Sequence, residues 1–356
     1  MKRLLLSLSV VVLAFSANAK DYAISTPNST LIISAKEGEA PMFRYYGSRA
    51  EVSDVRGAGR MINGQEAYPA FGTRCDRPYA SLVKQHDGDN AVKFVVDKVE
   101  QGTADHLSTL SVWLRDVAHP NLVVKVNYSA YDDCDVVKMN TEYFNNGKKP
   151  IVLQKYMSAV LPIQSDNCVL LHLDGSSKNE CNEHIEPLTN GVRVISTQSL
   201  SQMAKYNNAS FMLGLDGRLD ETNCPVIAGS LVWMGNFHFE FHNTLLTTSP
   251  TLFMGGINPA ASDYTLMGKR SLATPEMVFT YTNNGKGEAT RTFHRWARHH
   301  QLLDGTKERE VLLNSWEGVH FDTTEENLSG MITDFAQLGG EMFVVDDGWF
   351  GPKYPR

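Results

Sequence analysis

The sequence predicts two folds in series: a large antiparallel β-sandwich, then the opening unit of a parallel α/β domain. Three observations carry this. From Tyr22 to about Tyr281, short runs of β-branched and aromatic residues alternate with turn clusters. Near Ala289 the apolar period changes from a strand's to a helix's. After Val311, two continuous apolar runs flank one amphipathic segment, the layout of a βαβ crossover in a sheet covered on both faces. With 356 residues, 42% of them hydrophobic, the chain has room for two domains and a sizeable core.

The first residues read as a targeting segment. Lys2 and Arg3 form a positive start, and Leu4 to Phe15 form an apolar run too short to cross a bilayer. Ala17-Asn18-Ala19 is a small-x-small cleavage site. The expectation is a signal peptide over residues 1–19 and export to the periplasm or the medium. No cysteine follows the site, so nothing points to a lipid anchor, and no later segment approaches a membrane span. The formal charge is −7, and loss of the leader removes two further cations. Without a basic stripe, nucleic acid and an anionic membrane surface are excluded as expected partners.

Within the β-rich region, Leu122 to Tyr131 and Val136 to Phe144 read as strands flanking Asp132 to Asp135. Phe237, Phe239 and Phe241 share one strand face at period two. Asn-Asn-Gly-Lys occurs at Asn145 to Lys148 and at Asn283 to Lys286; both predict tight turns with a positive φ at glycine. Asp87-Gly88-Asp89-Asn90 resembles part of a calcium loop but lacks the remaining ligands, so it reads as a turn. N-x-[ST] motifs at Asn28, Asn127, Asn208 and Asn327 carry no information without a host.

Five cysteines is an odd number for a disulfide framework in a chain too large to need staples. Cys168-x3-His172 with Cys181-x2-His184 could supply two thiolates and two imidazoles to zinc. The plainer alternatives are a buried cysteine with a surface histidine, or a Cys168–Cys181 disulfide. No metal is expected.

Ala289 to Leu303 places Ala289, Phe293, Trp296, Ala297 and His300 on one helical face, with Arg291, Arg295 and Arg298 opposite. It predicts a connector helix packed under one domain. Val311 to Trp316 and Met342 to Val345 then read as buried strands. Between them, Thr323-x-x-Glu326 is a capping-box pattern, Leu328, Met331, Ile332, Phe335 and Leu338 recur at helical spacing, and Gly339-Gly340 is a helix stop.

In parallel α/β folds ligands collect at the carboxyl ends of the strands. Here those ends carry Asn314-Ser315-Trp316-Glu317 and Asp346-Asp347-Gly348-Trp349. Carboxylates accept strong hydrogen bonds from hydroxyls, and an indole covers the C–H face of a pyranose. That combination suits a sugar. Each part also has a plainer reading: Asp347-Gly348 as a turn, a lone Trp as core, Glu317 as an ion-pair partner. No G-x-S-x-G, H-E-x-x-H or G-x-x-x-x-G-K-[ST] motif is present.

The stretch from Leu312 to Gly351, with Asn-Ser-Trp-Glu and Val-Asp-Asp-Gly-Trp-Phe-Gly, resembles the start of the catalytic barrel in α-galactosidases of glycoside hydrolase family 36. Looser agreement runs upstream in the family's order, through AYPAFGTRCDRPY, YDDCDVVKMNTEYFNNG, WMGNFHFEFHN, GGINP and TPEMVFTYTNNGKGEATRTFH. The resemblance implies a multidomain protein: a β-supersandwich over residues 20–286, a connector helix and linker over 287–310, and over 311–356 the first βαβ unit of a (β/α)8 TIM barrel, incomplete in this chain. It implies a retaining exo-α-galactosidase acting on terminal α-D-galactosyl residues of raffinose-type oligosaccharides, with no cofactor and with a homo-oligomer as the complete enzyme. Carried over by position, Asp346 and Asp347 would hold galactose hydroxyls and Trp316 would wall the pocket.

Two features depart from the pattern: Cys75 within Arg74-Cys75-Asp76-Arg77, and a short stretch from Arg60 to Tyr68 where relatives extend a loop toward a neighbouring subunit. The larger departure is catalytic. The family's nucleophile lies in a Lys-Trp-Asp motif on a later barrel strand, and its acid/base lies later still. A barrel takes about 250 residues, and about 45 follow Val311. The expectation is therefore a fragment without its catalytic pair, both members falling beyond Arg356. Alternatives are an α-N-acetylgalactosaminidase of the same family and a non-catalytic carbohydrate-binding sandwich.

Overall fold

The computed structural model describes residues 9–12, 18–73, 77–165, 167–176, 179–198, 207–244 and 251–350. Arg74 to Asp76, including the departing Cys75, lie outside them. The chain divides into two compact units, residues 1–296 and 297–356.

The first unit is built from antiparallel sheets. One has eleven strands, one six and one three. The strands expected at Leu122–Tyr131 and Val136–Phe144 form at Leu122–Tyr131 and Val137–Asn145, neighbours in the largest sheet paired from Leu122↔Asn145 to Ala130↔Val137. Their alternating burial is what a sheet with one face on the core requires. Of the expected leader, Ser9–Val12 runs antiparallel to Glu100–Thr103 at one edge of that sheet, and most of the remainder lies outside the described residues.

The core sits between the two large sheets. Phe237, Phe239 and Phe241 of the strand Phe237–Asn243 are fully buried, as their period predicts. Phe253 meets Phe239 and Phe241 at ring-centroid distances of 5.4 and 5.2 Å, and Phe211 meets Phe241 edge-on at 5.0 Å. Such edge-to-face pairs add to the area term. A polar seam crosses this core. Tyr68 Oη lies 2.8 Å from Tyr143 Oη and donates to the Met157 carbonyl at 2.7 Å, while Tyr143 Oη donates to Ser81 Oγ at 2.9 Å. The hydroxyls of this seam are thus satisfied rather than orphaned.

The two Asn-Asn-Gly-Lys stretches differ. Gly285 has the expected positive φ, 75°, but it opens a helix, Gly285–Trp296. A Cβ there would lie 2.4 Å from the Glu221 backbone, so only glycine fits. Gly147 is absent from the positive-φ glycines, which corrects the expectation. That turn is held instead by Asn145, whose Oδ1 accepts from Gly147 N at 3.0 Å and whose Nδ2 donates to the Lys149 carbonyl at 2.8 Å. Gly88 has φ +94° within the turn at Asp87 to Asn90.

The helix Gly285–Trp296 buries Ala289, Thr292 and Trp296, with Ala289 packed among Cys224, Val226 and Ala228. A π-helical turn, Ala297–Gln301, follows it, so the α-helical segment starts earlier and ends earlier than the period alone suggests. The zinc and disulfide readings of the cysteines both fail. Val169–Ser176 pairs with Asn179–Pro187 so that His172 faces His184, their rings 5.0 Å apart and stacked. Cys168 lies beside Leu188 at the open end of this hairpin, while Cys181 lies near its turn. At about 3.3 Å per residue that is on the order of 20 Å, too far for a bond or a shared ion.

The second unit contains one parallel pair, Leu312–Asn314 with Met342–Val344, in register Leu312↔Met342 through Asn314↔Val344. The helix Glu325–Gln337 connects them, which is the expected βαβ unit. Its stop is as expected: Gly339 has φ +84°, Gly339 N donates to the Ala336 carbonyl at 3.1 Å and Gly340 N to that of Phe335 at 3.0 Å. The start shifts by one residue. Thr324, not Thr323, is the N-cap, accepting from Asn327 N at 3.3 Å. Thr323 Oγ1 instead donates to the Gly348 carbonyl at 3.1 Å. The strands are also less buried than continuous apolar runs predict: Leu312 is 51% exposed and Met342 40%. A parallel sheet has two faces to cover, and within residues 297–350 there is one long helix to cover them.

Candidate functional site

The strands Leu312–Asn314 and Met342–Val344 run in parallel, so their carboxyl ends open on one side. Ser315 N donates to the Val344 carbonyl at 2.9 Å, which carries the ladder one residue further. Ser315 is fully buried, and its Oγ accepts from Asp346 N at 3.0 Å. The backbone is therefore pinned where the second strand delivers its two acids.

Asp346 is held at both carboxylate oxygens. Asn314 Nδ2 donates to Oδ2 at 2.6 Å, and Asp347 N donates to Oδ1 at 2.6 Å. Asn314 Oδ1 accepts from Trp316 N at 2.8 Å. One asparagine thus fixes the acid on its neighbour strand and the backbone of the aromatic on its own. Each carboxylate oxygen has more than one lone pair, so a ligand hydroxyl can still donate to it. Asp346 and Asp347 are half-buried, a setting in which a charge-assisted bond to a hydroxyl is strong without the cost of full desolvation.

Trp316 is half-buried and braced by other rings. Phe321 meets it edge-on at 5.0 Å and His320 at 5.1 Å. Gly348 is buried with φ +100°, and a Cβ there would lie 3.2 Å from Phe321 Cα. The turn reading of Asp347-Gly348 is thus correct as well: the turn is what sends the chain away after the acids. Trp349 is 73% exposed and packs edge-on against Phe350 at 5.8 Å. Glu317 is exposed.

The parallel pairing brings the strand ends bearing Trp316, Asp346 and Asp347 to one mouth. Asn314 and Ser315 stand at the expected strand end, but sequence reasoning gave them no role. Their signal was position: they occupy the end of the partner strand, where a side chain meets whatever the next strand carries. Chemically the arrangement can accept hydrogen bonds from a ligand's hydroxyls and orient it. Two adjacent carboxyls cannot stand on opposite sides of a glycosidic bond, as an acid and a nucleophile about 5–5.5 Å apart must.

A profile described as the glycosyl hydrolase family 36 N-terminal domain matches residues 39–267. The chain belongs to glycoside hydrolase family 36. A second profile, described as melibiase, matches residues 271–355 and so contains the whole strand-end site. Among curated relatives of this family-36 chain, α-galactosidase C of Emericella nidulans is 30% identical over 257 residues, covering 72% of this chain and 34% of its own length. α-Galactosidase AgaA of Geobacillus stearothermophilus is 27% identical over 306 residues, covering 81% and 41%. The crystal structure of that AgaA superposes with a TM-score of 0.84 at 23% identity, over 93% of this chain and 50% of that one. The α-galactosidase of Lactobacillus brevis gives 0.82 at 24% identity, over 95% and 50%. The fold is therefore that of family-36 α-galactosidases, and the chain spans between a third and about half of the length of these proteins.

Proposed function

We propose that this chain is the N-terminal portion of an exported retaining α-galactosidase, whose complete form removes terminal α-galactosyl groups from oligosaccharides. The observation that carries the reading is Asp346, fixed at both oxygens by Asn314 and the Asp347 amide at a strand-end mouth. The relatives named α-galactosidase support it, as do crystal structures of AgaA variants in complex with stachyose and with raffinose. In this proposal Asp346 and Asp347 accept hydrogen bonds from galactose hydroxyls, and the Trp316 indole covers part of the sugar's apolar face. The nucleophile and the acid/base come from barrel strands beyond Arg356, and residues 1–19 are removed on export.

The test has two parts. The purified 356-residue chain should hydrolyse no α-galactoside; clear turnover, free of host enzyme, contradicts the fragment reading. In the complete protein, carrying both the family's Lys-Trp-Asp segment and the later acid/base, Asp346→Ala should lower kcat/KM by about 10³-fold, the scale of two charge-assisted bonds lost from a sugar site. An unchanged kcat/KM contradicts the role of Asp346.

A further inference from the structure

A polar cleft of about 490 Å³ lies at one end of the sandwich, within residues 1–296. Its volume falls in the range of small-molecule sites, about 300–1,000 Å³. Asp174, Asn179, Asn182, Thr197, Gln198 and Asn207 line it. Among the described residues the lining includes one carboxylate and no cationic side chain. It is otherwise dominated by amides and hydroxyls, which both donate and accept.

Several of these groups are fixed. Asp174 Oδ1 lies 2.8 Å from His184 Nε2, and that hydrogen bond holds its carboxyl below the usual carboxylate range. Asn182 Nδ2 donates to the Asn179 carbonyl at 3.0 Å, and Asn207 Nδ2 to that of Ser196 at 2.9 Å. Thr197 is nearly fully buried.

An exposed indole stands at the same end. Thr197 N donates to the Phe237 carbonyl at 3.1 Å, and Asn236 Nδ2 to the Gln198 carbonyl at 3.2 Å. These bonds tie the cleft wall to the turn from Val232 to Asn236. Trp233 on that turn is 43% exposed. Its Nε1 lies over Gly235, where a Cβ would come within 2.5 Å. Glycine thus lets the indole lie flat against the turn. The Trp233 indole is thus exposed on a turn that is hydrogen-bonded to the cleft wall.

We propose that this cleft and Trp233 form a second saccharide site, on the sandwich, for a neutral sugar. Amides and the Asp174 carboxylate engage the hydroxyls, and the indole covers a C–H face. The Asp174 carboxylate selects against acidic sugars by like-charge repulsion. The proposal does not depend on the barrel reading, and its test is run with that site disabled.

The experiment is calorimetric titration of the full chain carrying Trp316→Ala and Asp346→Ala, with raffinose as the probe and galacturonate as the acidic comparison. Raffinose should bind saturably with a dissociation constant on the order of 1 mM, and galacturonate should bind more weakly. Adding Trp233→Ala should weaken raffinose binding by about tenfold or more, the scale of one lost aromatic face. Asp174→Asn, which keeps the side chain's shape, should narrow the gap between raffinose and galacturonate. Absence of saturable heat, or equal binding after Trp233→Ala in protein with an unchanged melting temperature, overturns the proposal. Binding by the parent chain that disappears in the Trp316→Ala/Asp346→Ala background overturns it too, because the barrel site then accounts for the sugar.

Discussion

The two units use the same apolar residue types and bury them very differently. In the sandwich, Phe239, Phe241 and Phe253 are fully buried, while in the parallel unit Leu312 is 51% exposed and Leu338 85%. The difference is one of geometry rather than composition. Antiparallel sheets packed face to face bury one side of each strand and leave the other to water. A parallel pair has to be covered on both faces, and residues 297–350 supply one long helix. The sandwich therefore stands on its own packing, and the parallel unit relies on hydrogen bonds at its strand ends. Those bonds are the ones that order the mouth where Asn314, Ser315 and Asp346 meet.

The sharpest way to break the comparison is to cut into the better-packed side. Phe239→Ala removes a ring at the centre of the phenyl cluster and should destabilise the sandwich by about 3–5 kcal/mol, read as a shifted midpoint in urea. A loss below about 1 kcal/mol would mean that the site collapses or was loosely packed.

Next in size is a charged hub on the same strand. Glu240, 9% exposed, takes Lys155 Nζ at 2.6 Å and His238 Nε2 at 3.0 Å on one oxygen, and His242 Nε2 at 2.8 Å on the other. Burial works to raise its pKa, but hydrogen bonds from the two imidazoles and the Lys155 charge outweigh that and hold it well below the usual range. Its folded value is depressed, so its contribution is complete above the unfolded value near 4.3 and is lost as pH falls toward the folded one. Glu240→Gln should cost about 3 kcal/mol at pH 7, since it strands a buried ammonium. The gap between variant and parent should close as pH drops below about 4. A gap independent of pH from 7 to 2 would contradict the hub.

Smaller is the polar seam. Tyr68→Phe removes the hydroxyl that joins Tyr143 to the Met157 carbonyl and should cost about 1–2 kcal/mol. Thr141 Oγ1 also donates to that carbonyl, at 2.7 Å, which limits the loss. The smallest effect belongs to the parallel unit. Thr324→Ala removes an exposed N-cap and should cost about 0.5–1 kcal/mol locally, whereas Thr323→Ala should leave the cap intact. Amide exchange at Glu325 to Asn327 reads both.

These outcomes also show what the sequence could reveal. The Phe237-Phe239-Phe241 period, the stop at Gly339 and the two acidic strand ends were legible because each depends on local spacing. The cap at Thr324 was not, since Thr323 is drawn off by Gly348, a partner distant in sequence. The Cys168–Cys181 pairing failed for the same reason: hairpin register, invisible in spacing alone, places them at opposite ends. Gly285 opens a helix because the Glu221 backbone passes close to it.

The measurement that bears most directly on the contrast between the units is limited trypsin digestion of the purified chain, with fragments identified by mass spectrometry. The account predicts early cleavage among Lys307 and Arg309 and onward through the parallel unit, with the sandwich through Trp296 surviving as the resistant core. Equal protection of both units, or first cuts inside the sandwich strands, would contradict it.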